Sequence, residues 1–173
     1  MEYGKTMEQA KENAKLAFYQ NPGYQFERME RKILILDVTI SDDGSSFSTT
    51  LHEPLLIDIQ SDIFLDSFTT YNALDNKHAT SNHMSFLMGI DEFNIQSNST
   101  NSNSFNRIII PNNAVTDNTV TTHKTKKFNY ICSINPGKLS QINGTITNLA
   151  DTPATSFDSG GRFIAEFIIV ARD

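Results

Sequence analysis

The stretch LHEPLLIDIQSDIFLDSFTTYN, residues 51–72, decides the fold. It is the largest block of strand-forming residues in the chain, broken once by Gln60-Ser61-Asp62, and so predicts two consecutive strands that bend or fold back at that polar step. A helix does not fit, because Pro54 lacks a backbone N–H; the first residue of a strand or a sheet edge tolerates it. Beyond Pro54, alternation places Leu55, Ile57 and Ile59 on one face. It then places Ile63 and Leu65 on one face and Phe64 and Phe68 on the other. Strands that are apolar on parts of both sides need more sheet around them.

The neighbouring stretches supply it. Upstream, Leu34, Leu36, Val38 and Ile40 share a face opposite Ile33, Ile35, Asp37 and Thr39, and residues 41–46 carry turn chemistry. Further strands are predicted at 84–90 (continuing through Phe93 and Ile95), 105–110, 127–134, 139–149 and 161–171. With 32–40, 53–60 and 62–71 they make eight. The Asn/Ser tract 97–104 cannot bury enough apolar area to hold a fixed shape and is expected to be an exposed, mobile loop. Residues 112–125 read as a second long loop. Eight strands without interleaved helices describe an all-β, antiparallel double sheet, and an eight-stranded jelly-roll sandwich fits best. An immunoglobulin-like sandwich is the alternative, but the chain has no Trp and one Cys where that fold carries a Cys and Trp core.

Residues 1–30 read differently. Thr6-Met7-Glu8-Gln9 matches a capping box, and Met7, Ala10, Ala14, Ala17 and Phe18 recur at helical spacing until Asn21-Pro22-Gly23 ends the run. An Ala-rich helix of about four turns is marginal alone, so it packs either on its own domain or on a neighbouring subunit. Tyr24 and Phe26 add apolar anchors, making Met7, Ala10, Ala14, Ala17, Phe18, Tyr24 and Phe26 the candidate contacts of an N-terminal helical arm. The predicted organisation is therefore an arm over 1–30 and one jelly-roll domain over 31–173, a length that suits a single core.

Composition narrows the function. A net charge of -6 argues against general nucleic-acid binding. No apolar run is long enough to span a bilayer, and the charged start lacks a signal-peptide core, so synthesis in the cytoplasm is expected. A single cysteine, Cys132, excludes an internal disulfide framework and reads as a small core residue.

Reactive constellations are scarce. Asp58, Asp62 and Asp66 would line one face of a helix, but on strands they point to unconnected places. His52, His78, His83 and His123 form no ligand pattern; the pair at 78 and 83 lies in a polar loop and reads as hydrated surface. Neither a nucleophile elbow nor a phosphate loop is present, and Asp158-Ser159-Gly160-Gly161 reads as a turn. Lys124, Lys126 and Lys127 beside Phe128 and Tyr130 fit a lysine-protected strand edge better than a nucleic-acid site. Asn98 and Asn143 begin low-specificity glycosylation sequons. No cofactor, metal or small-molecule substrate is expected, and the residues point to a module that binds or builds.

The blocks HEPLLIDIQSDIFLDSFTTYN (52–72), MSFLMGIDEFNIQSN (84–98), FNRIIIPN (105–112) and HKTKKFNYICSINPGKLSQINGTITNL (123–149) follow one another with Asn/Ser-rich gaps. In this order they resemble the single-jelly-roll capsid proteins of giant nucleocytoplasmic large DNA viruses, the penton (vertex) protein and related minor capsid proteins, over about residues 33–171. The resemblance implies a wedge-shaped jelly roll that forms homopentamers at icosahedral five-fold vertices of the virion. It implies major and minor capsid proteins as partners, loops on the outside and no catalytic residues. Other classes are a minor capsid role, a receptor- or glycan-binding jelly roll with an aromatic pocket, and a cupin-type enzyme that would need two or three His and a carboxylate on adjacent strands.

Overall fold

The computed structural model describes residues 30–40, 45–72, 84–112, 120–123, 129–150 and 161–172. The predicted arm, with Met7, Ala10, Ala14, Ala17, Phe18, Tyr24 and Phe26, lies outside the described residues, as do His78, His83 and the lysines at 124–127.

The described residues form nine strands: β1 (Arg31–Thr39), β2 (Ser46–Ile57), β3 (Ser61–Tyr71), β4 (Ser85–Ile90), β5 (Ile108–Pro111), β6 (Val120–His123), β7 (Asn129–Ile134), β8 (Gly137–Thr147) and β9 (Arg162–Ala171). They form two antiparallel sheets. Sheet A runs β1-β9-β3-β6, with β7 also pairing to β3, and sheet B runs β2-β8-β4-β5. The pairs are nested: β1 with β9, β2 with β8, β3 with β6 and β7, and β4 with β5. Each nested pair lies in the sheet opposite to the next one, so the chain behaves as one long hairpin wound into two layers.

The core lies between the sheets. From β1 it takes Leu34, Leu36 and Val38, as the period-two pattern predicts, with Ile40 just beyond the strand, and from β9 Phe163, Ala165, Phe167 and Ile169. Aromatic pairs lock the layers: Phe47 meets Phe163 at 5.3 Å and Phe68 meets Phe86 at 5.7 Å between ring centres. Such pairs contribute about 0.5–1.5 kcal/mol beyond their buried area.

Several expectations are corrected. Phe68 is not on the face of Phe64; it is fully buried with Ile63 and Leu65. The cause is a bulge. Leu65 pairs with Phe167 and Ser67 with Glu166, so the register steps over Asp66, and one extra residue returns Phe68 to the inner face. Among the described residues there are nine strands where eight were expected, because residues 120–123, read as loop, form β6, which shares with β7 the position beside β3. β2 begins at Ser46, ahead of the predicted 53, since Ser and Thr pair as readily as apolar residues where one face is solvated. β5 begins at Ile108, not at 105. The tract 97–104, expected to be an exposed, mobile loop, is exposed at four residues and partly buried at the other four, and it holds a defined shape. Asn98 and Asn101 side chains accept from the N–H groups of Ser99 and Asn103, a short 3-10 turn spans Ser102–Ser104, and the Asn106 carboxamide accepts from Ser97 N–H. Side-chain to backbone hydrogen bonds give this tract the order that apolar burial would not.

Candidate contact surface

The two outer faces of the sandwich differ in chemistry. Across sheet A the pairing aligns Ile33 on β1, Ile168 on β9, Phe64 on β3 and Tyr130 on β7 in one row. Ile33 is 58% exposed, Ile35 57% and Tyr130 51%, and Phe64 packs edge-on against Tyr130 at 5.8 Å. A second apolar group, Ile164, Tyr71 and Val120, lies further along the same face. Between them Ser67 donates to Glu166 at 3.4 Å. Solvated faces of antiparallel sheets are ordinarily polar, so an exposed apolar row there sets this face apart.

Ion pairs frame this face at both ends. Arg162 on β9 holds Asp37 on β1 through two nitrogens, and this hydrogen bonding, with the guanidinium charge, outweighs slight burial and keeps the Asp37 carboxyl below its usual range. At the other end burial pushes the Asp62 carboxyl up, but hydrogen bonds from Arg172 and Ser133 and the Arg172 charge together bring it below the ordinary value. Ser133 Oγ donates to Asp62 at 2.8 Å and accepts from Arg172 at 2.6 Å, while Tyr130 lies 2.9 Å away as a further donor.

The outer face of sheet B carries a polar network beside two exposed apolar side chains, Leu56 on β2 and Ile109 on β5. Asn143 N–H and Nδ2 donate to the two Glu92 carboxylate oxygens at 2.9 and 2.8 Å. Ser48 donates to Asn143 Oδ1 at 2.8 Å, and Gln141 donates to Ser48 at 2.7 Å. The Arg107 guanidinium lies over Gly89 and donates to the Thr145 hydroxyl; a Cβ at Gly89 would sit 1.9 Å from Arg107 Nη1. Water and hydrogen-bonding partners suit this network.

A cleft of about 570 Å³ opens between β7, the β7–β8 turn and the segment after β4, with Gln60, Asn94, Gln96, Asn135 and Tyr130 among its polar lining and Ile57 and Cys132 among its apolar residues. Phe93, from that segment, plugs the sandwich edge-on to Phe167 at 5.4 Å.

The residues singled out from sequence do not converge. Asp58 accepts from Lys32 at 2.7 Å, Asp62 belongs to the Arg172 network and Asp66 is the bulge. His52 lies on exposed β2. Asn98 is exposed, whereas both ends of the Asn143 carboxamide are hydrogen-bonded. Cys132 is buried and its thiol is pushed up to about 11, by burial first and the Asp62 charge second, against a lowering hydrogen bond with the Asn94 backbone. Among the described residues no group of three His, Cys, Asp or Glu could hold a metal. Sequence reasoning did not identify His123 as special: on β6 it is buried, and desolvation lowers its pKa to about 4 against the raising effect of a hydrogen bond to the Pro111 carbonyl. Its isolation between Thr122 and Lys124, with no apolar pattern around it, left no signal. No protein-family profile and no curated protein matches the chain.

Proposed function

We propose that this chain is a structural capsid protein of a large icosahedral DNA virus, a jelly roll that forms homopentamers at five-fold vertices and contacts major and minor capsid proteins. The observation that carries the reading is the nested strand pairing, β1-β9-β3-β6/β7 facing β2-β8-β4-β5, which is the two-Greek-key winding expected of a jelly roll with its sixth position split in two. The apolar outer face of sheet A supports a role made of contacts, and the resemblance of the strand blocks to single-jelly-roll capsid proteins supplies the vertex. Five copies around an axis make heterologous side-to-side contacts that close a ring. In this reading the chain is not an enzyme, and it resides in the virion after synthesis in the host cytoplasm. A minor capsid role between capsomers is the variant of the same reading.

Native mass spectrometry of the purified chain, with negative-stain images, tests it: assemblies in multiples of five are expected, and a chain that never forms them overturns the vertex role. Glycan recognition is a second reading, favoured by the cleft that sets Tyr130 beside Gln60, Asn94 and Gln96, planar polar groups suited to sugar hydroxyls. Binding on a glycan array that is lost in Tyr130→Ala would favour it.

A further inference from the structure

The polar cleft does not end at Tyr130. A second hollow of about 420 Å³ adjoins it, bounded by β5, Arg107 and the start of β7, and Gln96, Tyr130 and Ile131 line both. The two form one groove that runs along β7 from Asn135, in the first hollow, past Tyr130 to Asn129, in the second. A six-residue strand spans about 17–20 Å, so the groove suits an elongated ligand better than a compact one.

Tyr130 stands at the junction and is held in place. Where β7 pairs with β3, Ile63 matches Cys132 but Phe64 matches Tyr130, so the register steps over Ile131. Bulges of this kind re-aim side chains next to functional sites. Here the step brings Tyr130 beside Phe64, which packs edge-on against it at 5.8 Å. The Tyr130 hydroxyl lies 2.9 Å from Ser133 Oγ, and Ser133 is in turn bonded to Asp62 and Arg172. Held by a neighbouring ring and by its own hydroxyl, Tyr130 is nevertheless 51% exposed. An aromatic plate fixed in this way asks little ordering of the protein when a ligand arrives.

The groups around it are carboxamides and hydroxyls rather than a block of charge. Gln60, Asn94, Gln96 and Asn135 are exposed, so their polar atoms already face water and are open to a ligand. Each carboxamide offers a donor and an acceptor, which matches a sugar hydroxyl, itself both. Of the charged side chains in the lining, Glu92 holds Asn143 and Arg107 donates to Thr145, while Lys138 is exposed. Such a lining favours a neutral ligand.

We propose that this groove binds a neutral, linear oligosaccharide laid along β7, with one sugar ring stacked on Tyr130 and the neighbouring units hydrogen-bonded to the carboxamides. The proposal rests on the glycan reading above and adds to it the class of sugar, its length and the second hollow. An extended peptide is the other elongated ligand, but strand addition needs a regular outward row of backbone groups. The bulge at Ile131 interrupts that row. The segment after β4 also approaches the middle of β7, where the Asn94 backbone meets the Cys132 thiol.

Isothermal titration of the full chain with neutral linear gluco- and manno-oligosaccharides of increasing length tests the proposal, with sialyllactose as the acidic probe and a valine- and threonine-rich peptide as the strand probe. Affinity is expected to rise with sugar length until the groove is filled and then to level off. Tyr130→Ala should abolish binding, and Tyr130→Phe, which keeps the ring, should retain most of it. Asn135→Ala and Asn129→Ala, at opposite ends of the groove, should each weaken the longest sugar roughly fivefold, the worth of one hydrogen bond. Circular dichroism melting separates lost binding from lost fold, and if Tyr130→Ala does not fold the two asparagine variants decide. Short sugars that bind through Tyr130, with no gain from length and no effect of Asn129→Ala, overturn the extended groove and keep the glycan reading. Preference for sialyllactose overturns the neutral class and likewise keeps that reading. Binding of the peptide in place of any sugar, or of neither, overturns both.

Discussion

Nε2 of His123 lies 2.8 Å from Oγ1 of Thr70, and the same imidazole hydrogen-bonds the Pro111 carbonyl, so one side chain on β6 ties β3 of its own sheet to β5 of the other. Pro111 offers only an acceptor, so the ring donates there, and a neutral ring then accepts from the Thr70 hydroxyl through its other nitrogen. The ring also packs edge-on to Phe86 at 4.9 Å in the buried interior, where a charged imidazole would be poorly solvated.

This geometry makes stability depend on pH. The unfolded histidine takes up its proton near 6.5 and the folded one only near 4, so the contribution is fully present above about 6.5 and is lost as pH falls toward 4. At 1.36 kcal/mol per unit the loss is about 3 kcal/mol. Urea denaturation from pH 7 to 4.5 should show that decline in wild type and a much flatter profile in His123→Phe; a flat wild-type curve contradicts the buried neutral ring.

Asp62 works in the opposite part of the scale. Its carboxyl is held below the usual value, so its stabilising effect is present above the unfolded value of 3.8 and disappears as pH falls through the lower folded one. The network is partly exposed and screened, so Asp62→Asn should cost about 1 kcal/mol at neutral pH. The difference from wild type should vanish in strong acid, as read from denaturant midpoints.

Gly144 has no room for a side chain. A Cβ there would sit 2.2 Å from the Gly89 carbonyl oxygen and 2.6 Å from Phe47 Cζ, where β8 crosses beside β4. Backbone cannot yield as a flexible side chain does, so Gly144→Ala should destabilise by about 1–3 kcal/mol. Gly137→Ala, with its nearest such atom at 3.9 Å, is the control and should melt close to wild type.

Phe68 joins Phe86, Phe163 and His123 at ring distances of 5.6 to 5.7 Å. Truncation to Ala leaves a cavity among rigid rings and should cost about 3–5 kcal/mol by equilibrium unfolding. Phe64→Ala, on the half-buried outer face, should cost much less.

The Cys132 thiol should be unreactive in the folded chain at pH 8, since at a pKa near 11 about one part in a thousand is thiolate and the sulfur is buried. A colorimetric thiol reagent should react only at the rate of unfolding; fast labelling of native protein would show an open β7.

Much of the sandwich is legible in residue order because half-buried strands alternate. The face of β1 and that of β9 could be read directly from Leu34, Leu36 and Val38 and from Phe163, Ala165 and Phe167. Phe68 could not, because a bulge at Asp66 changes parity without changing composition. β6 escaped for a related reason: Val-Thr-Thr-His carries two polar side chains inward, Thr121 and His123, and is specified by β3 rather than by its own pattern. The contact face was half visible. Ile33 and Ile35 stand out as apolar on the outer parity, but their alignment with Ile168, Phe64 and Tyr130 depends on registers that only the folded sheet contains.

The place of β9 has a consequence for biogenesis. It is the last strand in chain order, yet it sits between β1 and β3 in its sheet. A ribosome therefore delivers two strands that have nothing to hold them together until the filling one emerges. Folding while translation proceeds can reach the small β4–β5 hairpin, but closure of the sheet that holds β1 and β3 waits for β9, a delay in which apolar nascent segments need chaperone cover.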